Sequence, residues 1–394
     1  YVLIKKLGWG TFSIVWLAYL LDPDVTDMSK KFFAIKVCHE EEYELCLDEV
    51  NIYKKLHSFD INDFAIHEII YFTPLNSKMS NKSICFVFDV MTCSLFDLLH
   101  TRGSEYRYGF DEQNCLRIIK TLCITLDKLI QNKYMHTDIR SDNILLKSNN
   151  DKLDMFCKLF YELNYDKEWQ ELCNTMLVEE KFDLKNKRHK EKFNTLKRKV
   201  SIKKIRSIVE KIEDQITDID KNIKFDINTP VCLVDYGCVT FDEVKNTEFH
   251  VQSRNYKAPE IVMKIPYTNK VDIWSLGCLL YEMLTGAFLI DPDETEDYSI
   301  DENHMYWVVE LFGNYPKHMA KKAHKYFYPS GKFKWDIDNE WSLEMAFKRD
   351  LPENDKVISD FTISLLKDMF NYDPTLRPTF LEIISRIDEY ITYS

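Results

Sequence analysis

Glycine is scarce in this chain, nine in 394 residues, where an ordinary soluble protein carries about 7%. A sequence this poor in glycine keeps it mainly where no other residue fits, so each position is informative. Long apolar runs are missing too. None reaches the roughly 18 residues of a bilayer crossing, and the best stretch, 276–290, is interrupted by Glu282; no membrane partner is expected. The eleven cysteines are odd in number and include no Cys-x-x-Cys pair. That argues against a disulfide framework or a zinc site and for a reducing compartment, so an intracellular protein, cytoplasmic or nuclear, is expected. Basic residues are in deficit, 52 Lys and Arg against 64 Asp and Glu, for a net charge of −12. This balance disfavours direct nucleic-acid binding and suits a basic partner. The first residue is Tyr1 rather than Met, so a trimmed chain is expected, with any upstream targeting signal outside it.

What is present is core-forming material. The 25 Phe, 22 Tyr and 7 Trp rule out disorder throughout, and the length allows two packed domains. Residues 1–7, 13–21 and 31–38 are β-branched and aromatic runs, separated by Gly8 and Gly10 and by turn-prone residues 22–29. Residues 40–57 have helical spacing, with Leu45, Glu49, Ile52 and Leu56 three or four apart. Further strands are predicted at 65–73 and 84–91. Beyond Met91 the pattern turns helical: Leu116, Ile119, Cys123, Leu126 and Ile130 form one apolar stripe, and 271–285 is nearly all apolar. A small antiparallel sheet with a helix, followed by a larger helical body, predicts an α+β chain of two lobes, 1–91 and 92–394. A monomer is expected.

The second lobe is interrupted at about 150–228. Twelve Lys and Arg stand against two acids between Lys181 and Arg206, and Ile205, Val209, Ile212, Ile216, Ile219 and Ile223 recur at steps of four and three, an amphipathic or coiled-coil stripe. The segment 151–228 holds 18 basic and 16 acidic residues, leaving −14 for the rest of the chain. It reads either as a partner-binding spacer or as a solvated, partly helical insertion.

Several motifs carry chemistry. Gly8-Trp-Gly-Thr-Phe-Ser-Ile-Val15 lies between two predicted strands, where glycines let backbone N–H groups approach a polyphosphate; Ser13 takes the place of a third glycine. Lys36 ends the apolar run Phe33-Ala-Ile-Lys36 and is costly there unless paired. Glu49 on the next helix is the natural partner, and a Lys held by Glu and aimed at α/β-phosphates is the kinase arrangement. In His136-Thr-Asp-Ile-Arg-Ser-Asp-Asn143, Asp138 would accept a hydroxyl proton and Asn143 hold magnesium. Asp235-Tyr-Gly237, after an apolar run, would supply the second metal ligand. Ala258-Pro-Glu260 completes the order. Together these motifs are very specific.

They resemble the protein kinase superfamily over essentially the whole chain, insertion excepted. Asp272-Ile-Trp-Ser-Leu-Gly277 looks like the helix start that braces the catalytic loop, and Arg377 of Asp373-Pro-Thr-Leu-Arg377-Pro is the arginine that typically pairs with Glu260. The segment Leu7-Gly-Trp-Gly-x-Phe-Ser-x-Val-Trp16, the loop His-Thr-Asp-Ile and Gln252-Ser-Arg-Asn-Tyr-Lys-Ala-Pro-Glu260 are similar to the SR-protein kinase (SRPK) family of the CMGC group. Residues 288–292, 298–304 and 309–313 are similar to that family's insert after the bracing helix. The resemblance implies ATP and Mg2+, with a basic, Arg/Ser-rich protein as substrate. It places adenine among Leu7, Val15, Ala34 and Leu145, with backbone bonds at Asp89 and Met91 and Phe88 at the back. Asp291, Asp301, Glu302 and Glu310 would form an acidic docking groove.

Departures from the family pattern are also legible. Arg140 replaces a Lys beside the γ-phosphate, and Thr137 replaces an arginine that normally grips an activation-segment phosphate, so no such phosphate is expected to be needed. Ser253 keeps a hydroxyl where Ser/Thr kinases carry Thr. Ala287 and Asn303 stand where docking acids would be expected. A CMGC-like kinase with unrelated substrates and a pseudokinase scaffold whose spacer recruits partners remain alternatives.

Overall fold

A computed structural model describes residues 1–10, 13–58, 66–72, 83–101, 107–147, 152–216, 229–241, 251–337, 341–351 and 357–393. The chain divides into two units. The first comprises Tyr1–Val50, Phe64–Thr92 and Lys147–Lys224; the second comprises Asn51–Asp63, Cys93–Leu146 and Phe225–Ser394. In chain order the elements are β1 (Val2–Trp9), β2 (Ser13–Tyr19), β3 (Phe32–Cys38), α1 (Tyr43–Ser58), β4 (Ile66–Phe72) and β5 (Ser83–Asp89). There follow β6 (Cys93–Ser94), α2 (Leu95–His100), α3 (Glu112–Gln131), β7 (Tyr134–Met135) and β8 (Ile144–Leu146). The insertion supplies α4 (Lys152–Glu162), α5 (Tyr165–Glu179) and α6 (Lys187–Gln215). The remainder is β9 (Val231–Leu233), β10 (Thr240–Phe241), α7 (Pro259–Val262), α8 (Lys270–Thr285), α9 (Ile300–Phe312), α10 (Lys317–Ala320), α11 (Leu343–Asp350), α12 (Asp360–Met369) and α13 (Phe380–Tyr393).

In the first unit the five long strands form an antiparallel sheet in the order β1-β2-β3-β5-β4. Side chains alternate across a strand, and the sheet has two apolar faces. Ala18, Phe33, Ile35, Cys85 and Val87 form one core. Leu17, Tyr19 and Phe32 face the other way and pack with Phe156, Phe160, Tyr165 and Trp169 of α4 and α5 and with Ile205, Ile212 and Ile216 near α6. Tyr19 lies 5.3 Å from the Phe160 ring and Phe32 6.0 Å from it. Each such side chain contributes about 1.5–3 kcal/mol by leaving water. The described part of the insertion is therefore a packed layer rather than a solvated appendage. A buried lysine joins it: Lys31 donates to Asp166 at 2.7 Å, and the Tyr19 hydroxyl donates to the same oxygen at 2.7 Å. Of the predicted isoleucine stripe, Ile205, Ile212 and Ile216 are buried; Ile219 and Ile223 lie outside the described residues, as do Ala65 and Thr73 at the ends of the expected fourth strand.

One expected stripe is rotated. In α1 the buried positions are Cys46, Glu49, Val50, Tyr53 and Leu56, while Leu45 is exposed. The face i, i+3, i+4, i+7 beginning at Cys46 wins because it sets Glu49 and Val50 inward together.

The second unit is built around α8, in which Val271 through Thr285 are all buried, with α3 and α12 packed about it and α13 against α3. Gly277 permits this closeness, since a Cβ there would sit 2.9 Å from the Phe370 ring. Gly286, at φ 74°, caps the helix in the left-handed conformation that glycine adopts without strain. Among the described residues no helix is long and apolar enough to cross a membrane. None of the eleven cysteines is in a disulfide.

Candidate active site

In the first unit, Lys36 sits on central strand β3 between Val15 of β2 and Phe86 of β5. Its Nζ donates to Glu49 Oε1 at 2.7 Å, with only 17% and 7% of the two side chains exposed. The pair predicted from spacing is therefore formed, and the lysine's burial is answered by a carboxylate. Leu7 and Val15 are half-buried and Ala34 and Phe88 buried. The Asp89 carboxylate accepts from His67 Nε2 at 2.8 Å, so its interactions as a side chain are separate from the backbone groups expected to meet adenine; Met91 follows just beyond β5. Gly8 pairs with Val15, and Gly10 N–H donates to the Ser13 carbonyl at 2.9 Å. A Cβ at either glycine would meet no atom of the described residues within 4 Å. Protein packing thus does not demand these glycines; the open space beside them suits a ligand. Thr11 and Phe12 lie outside the described residues.

Sequence reasoning missed Cys38 and Cys46, whose sulfurs lie within 4.8 Å of each other and of the Glu49 carboxylate. A hydrogen bond between the thiols pushes Cys38 up and Cys46 down from the usual thiol range. Alternation along β3 puts Cys38 on the Lys36 face and helical spacing puts Cys46 beside Glu49, so the signal was present, but only once the two faces are known to meet.

In the second unit the loop after β7 is shaped by Asp272, whose carboxylate accepts from the His136 and Thr137 amides at 2.8 and 2.9 Å. This holds Thr137 at φ 65°, an outlying conformation for a β-branched residue that costs about 1–3 kcal/mol. The Thr137 hydroxyl donates to the Cys238 carbonyl at 2.7 Å, and the Gln252 amide donates to the Thr137 carbonyl at 2.9 Å. His136 is fully buried and burial pushes its pKa down, so the ring is neutral.

Asp138 is then fixed from two sides. Asn143 Nδ2 donates to its Oδ2 at 2.9 Å and Ser253 Oγ donates to its Oδ1 at 3.0 Å. Arg140 Nη1 donates to Ser253 Oγ at 2.8 Å while its Nε holds Asp142 at 2.9 Å. Asp138, Arg140, Asn143 and Ser253 are thus one connected set. Asn143 spends its amide nitrogen on Asp138, which leaves its amide oxygen as the group that could meet a cation. Asp235 stands at φ 63° two residues past the end of β9, with an exposed residue surface. An amide and a carboxylate oxygen are the hard donors Mg2+ takes. Leu145 lies half-buried on β8.

Buried charges brace the segments around this loop. Arg377 makes a bidentate pair with Glu260 at 2.6 and 2.9 Å, both side chains almost wholly enclosed. Glu282, which in the sequence only interrupts an apolar run, accepts from Ser141 at 2.8 Å and from Tyr256 at 2.5 Å, with His100 Nε2 at 2.8 Å. A charge so deep must be answered by donors, and here the donors are the catalytic-loop and Tyr256 segments it joins.

The expected docking acids are largely occupied. Asp301 pairs with Arg254 at 2.8 Å; burial raises its pKa, but the Arg254 hydrogen bond and charge outweigh this and hold it low. Asp291 accepts from Asn255 at 2.7 Å. Glu302 caps α9 through Ser299. The Glu310 carbonyl accepts from the Trp341 amide at 3.0 Å. Asp293, Glu294, Glu296 and Asp297 are exposed.

The protein kinase domain matches residues 1–160 and 216–387, which omits α5 and α6, and the chain belongs to that family. It is a serine/threonine-protein kinase similar to SR-protein kinases, within a family that works with ATP and Mg2+. It is 26% identical to protein kinase dsk1 of Schizosaccharomyces pombe, over 96% of this chain and 78% of that one. It is 25% identical to serine/threonine-protein kinase SRPK of Physarum polycephalum, over 96% and 83%. A crystal structure of another kinase domain is similar with a TM-score of 0.59 at 21% identity, covering 98% of this chain and 93% of that one, a likeness of fold.

Proposed function

We propose that this kinase transfers the γ-phosphoryl group of ATP to serines in basic, Arg/Ser-rich proteins inside the cell, acting as a monomer. The carrying observation is the fixed carboxylate: Asp138 is held by Asn143 and Ser253, with Arg140 tied to the same Ser253 hydroxyl. A base so placed takes the serine proton as its Oγ bonds to phosphorus and ADP departs. Lys36, steadied by Glu49, would hold the α/β-phosphates; Gly8 and Gly10 would leave room for them. Leu7, Val15, Ala34 and Leu145 would enclose adenine, with backbone bonds at Asp89 and Met91. Asn143 and Asp235 would hold Mg2+, which neutralises phosphate charge when bound. Arg140 would place its cation near the transferred group.

Exposed Asp293, Glu294, Glu296 and Asp297 support attraction of a basic peptide, a contribution that salt screens. The internal ties of Asp291, Asp301 and Glu302 favour a second reading, a CMGC-like kinase whose substrates are not Arg/Ser repeats. A radiolabel assay with Arg/Ser, acidic and proline-directed peptides at two salt concentrations separates them. The expected result is preference for Arg/Ser peptides with KM rising with salt, and Asp138→Asn losing ~10³-fold in rate while ATP binding persists. Better turnover of acidic or proline-directed peptides overturns the substrate assignment, and an undiminished rate in Asp138→Asn overturns the base.

A further inference from the structure

The α6 helix crosses beside β1, the edge strand of the first unit's sheet, and leaves a groove of roughly 800 Å³ between them. Its floor is apolar, with Ile4 and Ile205 from the core beneath it. Its rim keeps large apolar side chains in water: Tyr1, Leu3 and Ile202 are 42%, 43% and 54% exposed. Among the described residues the same groove is lined by Lys197, Arg198 and Arg206 and by no acidic residue. Apolar surface held open beside charge of one sign is the composition of a binding surface rather than of a solvated helix face.

We propose that this groove docks an acidic, extended segment of a partner protein that carries an apolar residue between its acids. Arg198, Ile202 and Arg206 are spaced i, i+4, i+8 and so share one face of α6. At 1.5 Å rise per residue the two guanidinium-bearing positions are about 12 Å apart. An extended segment advances about 3.3 Å per residue, so acids three or four positions apart, with an aromatic or aliphatic residue between, match arginine, isoleucine and arginine in turn. The edge position of β1 favours an extended occupant, because an edge strand offers main-chain hydrogen-bonding groups along its open side. A polyanion such as single-stranded nucleic acid fits less well: three cations line the groove, while the chain as a whole carries −12. A basic substrate is repelled, so this surface is distinct in chemistry from substrate selection and does not depend on the catalytic reading.

The test uses the full chain without ATP and a fluorescein-labelled peptide with two glutamates four positions apart and a phenylalanine between them. Anisotropy should show saturable binding that weakens with salt. Arg198→Glu with Arg206→Glu should weaken it at least tenfold, and a peptide with lysines for glutamates should bind that variant better than wild type. Ile202→Ser, or serine for the peptide's phenylalanine, should weaken binding severalfold. Unchanged circular dichroism and unchanged phosphorylation of a basic peptide show that the variants remain folded. The proposal is overturned if the charge-reversed variant binds the acidic peptide as wild type does. It is equally overturned if the phenylalanine makes no difference, or if a single-stranded oligonucleotide or anionic phospholipid vesicles bind more tightly than the peptide.

Discussion

Asp166→Ala removes the carboxylate that answers the buried Lys31 ammonium, and the structure sets the size of the effect. Lys31 is 1% exposed, so its charge cannot turn to water. Breaking a buried pair from one side costs about 3–5 kcal/mol. Two carbonyl oxygens remain in reach, Asp22 at 2.5 Å and Leu20 at 3.3 Å, which places the loss near the lower end, ~3 kcal/mol. That is roughly a 150-fold increase in local opening. Hydrogen–deuterium exchange on peptides from β2, β3 and α5 should read it directly, since opening of this layer exposes all three. Lys31→Met combined with Asp166→Leu removes both charges and should recover most of the protection. Recovery is incomplete because the Tyr19 hydroxyl loses its acceptor. Exchange within threefold of wild type in Asp166→Ala, or a double variant no better than the single, would refute the view that the insertion is pinned to the sheet by this pair.

Two further outcomes are expected. Buried His304 donates through Nε2 to the Lys257 carbonyl at 3.1 Å, and burial lowers its pKa to about 3. Because the folded value lies below the unfolded one, its contribution is present above about pH 6.5 and is lost as pH falls. Urea unfolding should show about 2 kcal/mol lost from pH 7 to 5, and a His304→Gln variant with the same slope as wild type would refute the assignment. The Thr137 hydroxyl ties directly to Cys238 where an arginine would read a phosphate, so unphosphorylated enzyme made in bacteria should be active; a strict need for phosphate at Thr240, or at Thr247 outside the described residues, would refute this.

Chemistry that acts through neighbours in sequence was legible before any fold was known. Asp138 and Asn143 lie five positions apart on one loop, and phosphoryl transfer tolerates few other residue types at that spacing. The nearly all-apolar run at 271–285 pointed to a buried helix. The Lys36–Glu49 pair was also within reach, because a strand and the helix that follows it pack together.

Other features depended on which faces meet. Nothing local marks Asp166 as the partner of Lys31, 135 positions away, and a basic, isoleucine-striped insertion reads equally well as a solvated spacer until the open face of the sheet is seen to need cover. Glu282 appears in the sequence as a flaw in a hydrophobic helix; its three donors come from positions 26 to 182 residues distant. The acids at 291, 301 and 302 look available for a basic substrate by composition alone. Only the tertiary structure ties them to neighbouring donors on Asn255, Arg254 and Ser299, because a carboxylate near an unanswered donor gains more from that fixed hydrogen bond than from solvent or a distant charge.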